Sequence, residues 1–265
     1  MISPLALVDP KAQIGANVTI EAFSVIHGDV TIGDGTWISS NVTIYDGARI
    51  GKNCKIFPGA VISAVPQDLK YKGELTTAEI GDNTTIREFV TFNKGTTDKM
   101  KTAIGNNCLV MAYAHIAHDC ILGNNIILAN NATLAGHVEI EDWAILEGLV
   151  AVQQFVRIGS HCFIAGSSLV RKNVPPFTKA AREPLSYIGV NAVGLRRRDF
   201  SNEAINQIQD IYRVLFVQNN NLKKGLEEIE RDMPESEVKT HILDFIKNSP
   251  RGLMRGFTAS DSEEE

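Results

Sequence analysis

An aliphatic residue returns at every sixth position for most of the chain, in a register that does not slip between residues 8 and 170. Of the 28 positions in this series, only Asp68, Glu74 and Asp98 are not apolar. A helix repeats every 3.6 residues and a half-buried strand every two, so neither accounts for a strict period of six. A repeat of this length predicts a solenoid built from short strands.

A second column of small or β-branched residues, such as Val18 and Ala114, lies two positions before each aliphatic one. Alternation with a period of two directs both columns to the same side of a strand. Glycine follows the aliphatic residue at 18-residue intervals in Gly15, Gly33 and Gly51. Three hexads therefore form one coil, which predicts a triangular prism, and we expect glycine or asparagine at the bends to supply a positive φ.

Two interruptions break the repeat without shifting its register. The interruptions are residues 63–79 and the polar, lysine-containing residues 93–103, and they fill intervals of 18 and 12 positions between apolar ones. We interpret both as loops that leave the prism. Such loops carry function in many proteins, although a tolerated surface insertion would give the same pattern.

After Val170 the pattern becomes helical. Pro175 and Pro176 end the repeat, Ser201 is a good N-cap for the first of three amphipathic helices, and Pro234 opens the third. The predicted organisation is a β-helix over 1–175, a small α-helical domain over 176–256 and an acidic, disordered tail over 257–265.

Charge and composition exclude several classes of protein. The formal net charge is −5 over 265 residues, which is unlike a nucleic-acid-binding protein. No apolar run is long enough to span a membrane, and residues 1–5 lack the features of a signal peptide. All four cysteines lie in the small inward column, which favours buried thiols in a reducing compartment. We therefore expect a cytoplasmic protein.

Three of the six histidines are candidates for a shared site. His115 and His118 belong to one coil, and His137 follows His118 by 19 residues, one coil plus one residue. Since parallel strands lie roughly 4.8 Å apart, the two imidazoles can meet. A single outward histidine is usually an ordinary surface residue, but three on adjacent coils favour a site. A histidine can accept a proton at neutral pH, and a carboxylate such as Asp119, next to His118, raises its basicity; Gly136 offers a backbone N–H for an oxyanion.

The hexad pattern resembles that of the left-handed parallel β-helix acyltransferases; the left hand comes from this resemblance, because the general crossover rule predicts the opposite. More specific motifs are Gln67–Tyr71, Ile86–Glu88, Ala114–Cys120, Leu128–His137, Gly189–Asn191, Arg197–Arg198 and Arg251–Arg255. They resemble the UDP-N-acetylglucosamine O-acyltransferases of lipid A biosynthesis over residues 1–256. The resemblance implies a homotrimer with active sites between subunits. It also implies transfer of a 3-hydroxyacyl chain from acyl carrier protein to the 3-hydroxyl of UDP-N-acetylglucosamine, without a cofactor or metal.

The same resemblance assigns roles to individual residues. It makes His118 the general base, supported by Asp119, and makes the Gly136 amide the donor to the oxyanion. Gly166 matches the position that limits acyl length, and its missing side chain implies room for a long chain. Arginine suits a diphosphate because its planar guanidinium donates two hydrogen bonds at once. The residues implied to bind the sugar nucleotide are Gln67, Asp68, Lys70, His115, His137, Gln154, Asn191, Arg197 and Arg198.

The chain departs from the family pattern at three positions. Asn93 and Gln153 stand where the best-known members carry histidine, and Val193 stands where they carry glutamate. The implied base is present, so the activity is still expected. The exact acyl length, and whether the acceptor carries a 3-hydroxyl or a 3-amino group, stay open.

A basic zone lies in an otherwise acidic chain. Residues 171–198 contain seven lysines and arginines against the single acid Glu183. Such a zone can steer acidic acyl carrier protein, although a solvated linker with scattered charges gives the same count.

Three other functions fit parts of the pattern. His115, His118 and His137 could imitate the zinc site of γ-class carbonic anhydrases, but their spacing and the long motifs argue against it. The related N-acyltransferase has an additional N-terminal nucleotide domain, which we do not expect because the repeat begins at residue 8. A non-enzymatic trimeric scaffold would need neither the loop motif nor the His-Asp pair.

Overall fold

The computed structural model describes residues 1–219, 221–254 and 256, so the predicted tail at 257–265 lies outside the described residues. Its main body is a prism with three sheets of nine, eight and ten strands. In chain order the strands are β1 (Leu7–Val8), β2 (Gln13–Ile14), β3 (Thr19–Ile20), β4 (Val25–Ile26), β5 (Thr31–Ile32), β6 (Trp37–Ile38), β7 (Thr43–Ile44), β8 (Ala48–Ile50), β9 (Lys55–Ile56), β10 (Val61–Ala64), β11 (Thr77–Ile80), β12 (Thr85–Ile86), β13 (Thr91–Asn93), β14 (Lys101–Ile104), β15 (Leu109–Val110), β16 (His115–Ile116), β17 (Ile121–Leu122), β18 (Ile127–Leu128), β19 (Thr133–Leu134), β20 (Glu139–Ile140), β21 (Ile145–Leu146), β22 (Ala151–Val152), β23 (Arg157–Ile158), β24 (Phe163–Ile164), β25 (Leu169–Val170), β26 (Thr178–Ala181) and β27 (Ser186–Val190).

Each strand pairs in parallel with the strand one coil later, and the register confirms an 18-residue coil. Leu7 pairs with Val25 in the nine-stranded sheet, and the same spacing recurs between His115 and Thr133. The aliphatic column fills the interior, where Ile116 is fully buried. The predicted parallel β-helix is therefore confirmed. Burial of one branched side chain per hexad stabilises every coil by the same hydrophobic contact.

A positive φ at the bends is confirmed for asparagine and for Gly35, but the prediction is wrong for the glycines that directly follow the aliphatic column. Gly15, Gly33 and Gly51 do not have a positive φ, which instead occurs two residues later, at Asn17 and at Asn53. A Cβ added to Gly33 would lie 2.6 Å from the carbonyl carbon of Gly51. Glycine is required at these positions because successive coils stack too closely for a side chain, whereas asparagine at the bends does adopt the left-handed conformation.

The two predicted loops are shorter than the sequence indicated. Strand β10 continues to Ala64 and β11 begins at Thr77, so the first loop spans 65–76. Strand β13 ends at Asn93 and β14 begins at Lys101, so the second loop spans 94–100. The flanking residues join the ladders because their backbone groups find partners on the neighbouring coils.

The prism extends beyond the predicted boundary at residue 175. Strand β26 continues the ten-stranded sheet in parallel with β24, and β27 turns back antiparallel to β26. Helices α1 (Ala192–Arg196), α2 (Asn202–Arg213), α3 (Leu222–Asp232) and α4 (Glu237–Lys247) follow, with a π-helical turn at Val214–Gln218. Ser201 is the N-cap of α2, as predicted. Helix α4 begins later than predicted, with Ser236 rather than Pro234 at its start.

The last helix packs back against the eight-stranded face. The imidazole Nε2 of His241 lies 2.9 Å from Oε2 of Glu141, and Arg157 donates to the Asn248 carbonyl at 2.7 Å. None of the helices in the described ranges is long and apolar enough to cross a membrane. The four cysteines are buried free thiols, and burial raises the pKa of Cys120 and of Cys162 to about 12.

Candidate active site

Both loops leave the prism at one edge, between the nine-stranded and eight-stranded sheets, which we call the loop edge. The three corners stacked there beside the loops are residues 117–120, 135–138 and 153–156. Positions 118, 136 and 154 therefore follow one another at 18-residue intervals, one per coil. The loop edge brings His118, His137 and the first-loop motif together.

His118 and Asp119 form a buried pair at this edge. The Nδ1 atom of His118 lies 2.8 Å from Oδ2 of Asp119, and only 5 % of the histidine is exposed. Its position on the coil points outward, as predicted, but the loops exclude solvent. Burial alone raises the pKa of Asp119, yet hydrogen bonds from Thr96, His118 and Lys99 outweigh it and lower the pKa overall. The carboxyl group is therefore ionised at neutral pH.

This pair fixes the tautomer of the histidine. An ionised carboxylate only accepts hydrogen bonds, so Nδ1 of His118 carries the proton and Nε2 carries the free lone pair. That Nε2 lies 3.9 Å from Oδ2 of Asp68 on the first loop. A Cβ added to Gly136 would lie 2.7 Å from the same Nε2 atom, so the ring rests directly against the glycine backbone. Within the described residues, the N–H of Gly136 has no protein acceptor.

His137 lies beside His118, as predicted from the coil length. Their ring centroids are 5.0 Å apart and the rings are perpendicular. The Nδ1 atom of His137 lies 3.0 Å from Oδ2 of Asp98, and its ring stacks on Phe155 at 4.3 Å. His115 lies on the adjoining face, with Nδ1 2.7 Å from the Thr91 hydroxyl.

His115 is held neutral. Burial lowers its pKa, and the nearby His118 lowers it further. At neutral pH its ring therefore acts as a hydrogen-bonding group rather than as a cation.

A cavity of about 270 Å³ opens between the two loops and His137. Its volume lies below the usual range for a drug-sized ligand, so one chain encloses only part of such a ligand there. Gln67 is on the same loop and faces solvent. The residues that line the cavity are Asp68, Lys70, Tyr71, Glu74, Thr96, Thr97, Asp98, His137 and Phe155.

The sequence interpretation gave no role to several residues at this edge. Thr96 and Lys99 bond to Asp119, and Phe155 stacks on His137. Arg251 reaches the edge from the C-terminal segment, where it donates to the Gln154 carbonyl and lies 5.6 Å from the Phe155 ring centroid. Of these residues, only Arg251 belongs to a motif that the sequence analysis singled out, Arg251–Arg255. Thr96, Lys99 and Phe155 reach the site through contacts between residues distant in sequence, which no motif indicates.

Asn191, Arg197 and Arg198 lie at a second edge, between the eight-stranded and ten-stranded sheets, which we call the arginine edge. The Nδ2 atom of Asn191 donates to the His161 carbonyl at 2.9 Å. The Arg198 guanidinium lies 5.0 Å from the Trp143 ring. Burial, and then the charge of Arg198, lowers the pKa of His161 to about 4, so this ring is neutral. A single chain does not bring these residues to His118.

Gly166 lies at the third edge, between the ten-stranded and nine-stranded sheets. Its N–H donates to Oε2 of Glu147 at 3.0 Å. Gly166 is exposed, and a Cβ added there would lie 3.2 Å from the Gly148 carbonyl oxygen, a tight contact with the backbone of the preceding coil. Gly166 is therefore separated from His118 within one chain.

The residues that depart from the family pattern occupy different environments. Asn93 is 2 % exposed and its Nδ2 donates to the Val65 carbonyl at 3.3 Å, so it supports the foot of the first loop. Its Oδ1 has no partner within the described residues. Gln153 is exposed at the loop edge, and Val193 is exposed at the arginine edge.

The cluster at the loop edge is better suited to proton transfer than to holding a metal. Ligand atoms of His118, Asp119 and His137 lie within 4.8 Å of one another. However, each oxygen of Asp119 already accepts two hydrogen bonds, from Thr96, Lys99 and His118. The Asp119 carboxylate would need free lone pairs to bind a metal. A histidine base instead needs its partner carboxylate to be held in a fixed orientation, as Asp119 is held here.

Comparisons with known proteins agree over nearly the whole chain. A model of the bacterial transferase hexapeptide (six repeats) matches residues 11–36, 29–64 and 101–136, and a model described as UDP N-acetylglucosamine O-acyltransferase, domain 2, matches 173–254. An acyl-[acyl-carrier-protein]–UDP-N-acetylglucosamine O-acyltransferase of Herminiimonas arsenicoxydans is 46% identical over 260 residues, covering 96% of this chain and 99% of the relative. The relative of that name from Thiobacillus denitrificans is 45% identical over 255 residues, with the same coverage of both chains.

Solved structures give the same result. The UDP-N-acetylglucosamine acyltransferase of Bacteroides fragilis superposes with a TM-score of 0.95 at 48% identity, covering 96% of this chain and all of that one. The enzyme of Francisella novicida gives a TM-score of 0.93 at 41% identity, covering 98% of this chain and 96% of its own. The coil is therefore the left-handed parallel β-helix that the hexad pattern indicated.

Proposed function

We propose that this chain transfers a 3-hydroxyacyl chain from acyl carrier protein to the 3-hydroxyl of UDP-N-acetylglucosamine. The premise is that the chain belongs to the UDP-N-acetylglucosamine O-acyltransferase family and is an O-acyltransferase. The proposed reaction is the first step of lipid A biosynthesis, and we place it in the cytoplasm. The observation that carries the proposal is the buried pair of His118 and Asp119, whose free Nε2 faces Gly136 and Asp68.

The pair supplies the base that the reaction needs. A sugar hydroxyl is a weak nucleophile, so Nε2 of His118 takes its proton as the oxygen attacks the thioester carbonyl. Asp119 is ionised and stabilises the imidazolium that forms. When the C–S bond breaks, the imidazolium returns its proton to the departing sulfur. One C–O bond forms and one C–S bond breaks, with no change in oxidation state.

The backbone N–H of Gly136 is the proposed donor to the oxyanion. Gly136 is buried against the base, and its N–H has no protein acceptor among the described residues. A preorganised donor of this kind stabilises developing charge more than water does. Asp68, Lys70 and His137 line the adjoining cavity, where we place the acceptor sugar. Gln67 is exposed on the same loop, and we place it as a further contact of the sugar.

Gly136→Ala is expected to lower kcat by roughly tenfold to a hundredfold. A Cβ at this position would lie 2.6 Å from Cε1 of His118, so the ring or the coil must shift. Steady-state kinetics together with circular dichroism would check this. Wild-type kcat in a folded Gly136→Ala enzyme would contradict the placement of the base.

The separation of the edges leads to a proposal on assembly. The loop edge holds the base, while Asn191, Arg197 and Arg198 lie on the arginine edge of the same prism. In a homotrimer the loop edge of one protomer can face the arginine edge of the next, which completes the site. We place the diphosphate on Arg197 and Arg198, with Asn191 and Gln154 as further nucleotide contacts and His115 on the adjoining face.

Acyl carrier protein is the proposed acyl donor, and the basic zone at 171–198 is the surface on which we propose that it docks. Part of that charge is compensated, because Arg171 pairs with Glu183. Lys172 donates to the Arg251 carbonyl at 3.1 Å, next to the loop edge. Charge complementarity at this position raises the association rate and is screened by salt.

A direct assay tests the activity. The purified protein is mixed with 3-hydroxyacyl carrier proteins of graded length and with UDP-N-acetylglucosamine or its 3-amino analogue. We expect the hydroxyl acceptor to give an ester, which alkali cleaves, whereas an amide product would resist alkali. No acyl transfer to either acceptor would contradict the proposal, and transfer to the amine alone would correct the acceptor.

Gly166→Met is expected to shift the preference of the enzyme to shorter acyl chains. Gly166 is exposed at the third edge, so the end of a methionine side chain would occupy surface that a long acyl chain needs, once the Gly148 carbonyl gives way by a few tenths of an ångström to the Cβ. Competition between donors of graded length measures the effect, and an unchanged kcat/KM for the shortest donor is the internal control. Unaltered selectivity would reject the role of Gly166 in limiting length.

A further inference from the structure

The buried carboxylate of Asp119 is held by a residue that no motif identifies. Thr96 donates its backbone N–H to Oδ1 at 2.9 Å and its hydroxyl to Oδ2 at 2.6 Å. Lys99 adds a second donor to Oδ1, through its backbone N–H at 3.1 Å. We infer that Thr96 is a positioning residue for the reaction, because it clamps both oxygens of Asp119 and so orients the His118 ring. This inference rests on the proposed role of His118 as the base.

The clamp acts on the carboxylate plane. A carboxylate rotates readily about its last side-chain bond, but a donor on each oxygen from one residue opposes that rotation. The same oxygen that accepts the Thr96 hydroxyl also accepts the proton on Nδ1 of His118, at 2.8 Å. Because Asp119 has no solvent exposure, water does not replace a missing donor there. The direction of Nε2 toward Asp68 therefore depends on Thr96.

The second loop is itself braced from two sides. The Gly95 carbonyl accepts a hydrogen bond from the Thr76 hydroxyl at 2.6 Å, which ties it to the end of the first loop. On the other side, the Lys99 ammonium pairs with Glu139 on the eight-stranded face. Glu139 in turn lies 3.2 Å from Nε of Arg157. Thr96 is thus held between two fixed points and does not need the substrate to place it.

The clamp also affects the charge that the base experiences. The Thr96 hydroxyl and the Nδ1–H of His118 both donate to Oδ2 of Asp119. If the hydroxyl is removed, the negative charge of that oxygen acts on the Nδ1–H alone. The remaining titratable groups that face His118 are Asp68, with Oδ2 3.9 Å from Nε2, His137, with ring centroids 5.0 Å apart, and His115. Loss of the hydroxyl should therefore hold the proton on the base more tightly and move the acidic limb of the rate profile to higher pH.

Thr96→Val removes the hydroxyl while keeping the shape of the side chain and the backbone N–H. We expect kcat at neutral pH to fall about tenfold, the typical effect of one hydrogen bond to a charged group. The KM for the sugar nucleotide should change less than kcat, and the acidic limb should move up by about half a pH unit or more. Thr96→Ser keeps the hydroxyl, so it should restore kcat to within about threefold and return the limb to its wild-type position.

The pH profile distinguishes positioning from simple support of the fold. A Thr96→Val enzyme with wild-type kcat and an unmoved acidic limb would overturn the inference, as would a loss that is equal at every pH and shared by Thr96→Ser. If the valine variant does not fold, Thr96→Ala carries the same expectations. His118→Ala, assayed in parallel, separates the two proposals. If His118→Ala is inactive while Thr96→Val has normal activity, only the inferred role of Thr96 is wrong. If His118→Ala is active, the proposed role of His118 as the base is wrong as well.

Discussion

Replacing His118 by alanine is expected to lower kcat by at least roughly a hundredfold, the usual contribution of a positioned general base. The imidazole is the only group in the described part of the chain that places a free ring nitrogen between Gly136 and Asp68. In the proposed mechanism, water must accept the proton of the sugar hydroxyl at the moment of attack if this imidazole is missing. The KM for the sugar nucleotide should change less, because the proposed nucleotide contacts are made by other residues.

The histidine at position 27 offers a matched control. His27 is also at the loop edge and also faces a carboxylate, with Nδ1 3.7 Å from Oδ2 of Asp46, but it is more exposed. His27→Ala should keep kcat within about twofold of wild type, since surface pairs contribute little. Thermal unfolding and sedimentation would establish that both variants keep the fold and the assembly. A near-normal rate for folded His118→Ala would defeat the proposed mechanism.

Much of the fold could be predicted because each hexad satisfies its own burial requirement locally. Ile116 needs only the coils directly above and below it, where Phe92 and Leu134 pair with it, so a pattern that spans 42 residues determines its environment. The same arithmetic predicted that His118 and His137 would meet, since stacking converts a sequence distance of one coil into a short spatial distance. Ser201 was predicted as an N-cap on equally local grounds.

The loops could not be predicted to the same extent, because their conformation is decided by distant partners. Thr96 reaches Asp119 across 23 residues, and Lys99 reaches Glu139 across 40. No periodicity relates these positions. The backbone of the bends was also misjudged, since Phe23 and Tyr113 adopt a positive φ despite their bulky side chains. Stacking of successive coils imposes that conformation on whatever residue lies there.

The repeat allows the sequence to place only some of the nucleotide-binding candidates on an edge of the prism. Positions 118, 136 and 154 follow the 18-residue repeat, so the sequence alone assigns them to one edge. Asn191 and Arg198 come after the repeat has ended, and α1 carries them to the arginine edge. Their separation from His118 within one chain is the strongest structural argument that the site is shared between protomers.

The second large effect is expected from mixing two variants that each lack a different half of the proposed site. The first variant carries His118→Ala, and the second carries both Arg197→Ala and Arg198→Ala. In the proposed homotrimer of the first variant every cleft has a defective loop edge, and in that of the second every cleft has a defective arginine edge. In a mixed trimer, one of the three clefts combines an intact loop edge with an intact arginine edge. Random equal mixing places about a quarter of all clefts in this state, so activity should return to about a quarter of wild type.

Mixing His118→Ala with Gly136→Ala is the matched control. Both changes lie on the loop edge, so no cleft of a mixed trimer regains a complete edge, and activity should stay at the level of the parent variants. This control separates a shared site from a general stabilisation of one variant by the other.

Activity of the mixed trimers therefore tests most directly whether the site is built from two protomers. Recovery to about a quarter of wild type in the first mixture, with none in the control, is the result expected for a closed ring of three equivalent clefts. A first mixture no more active than its two parents would contradict the shared site.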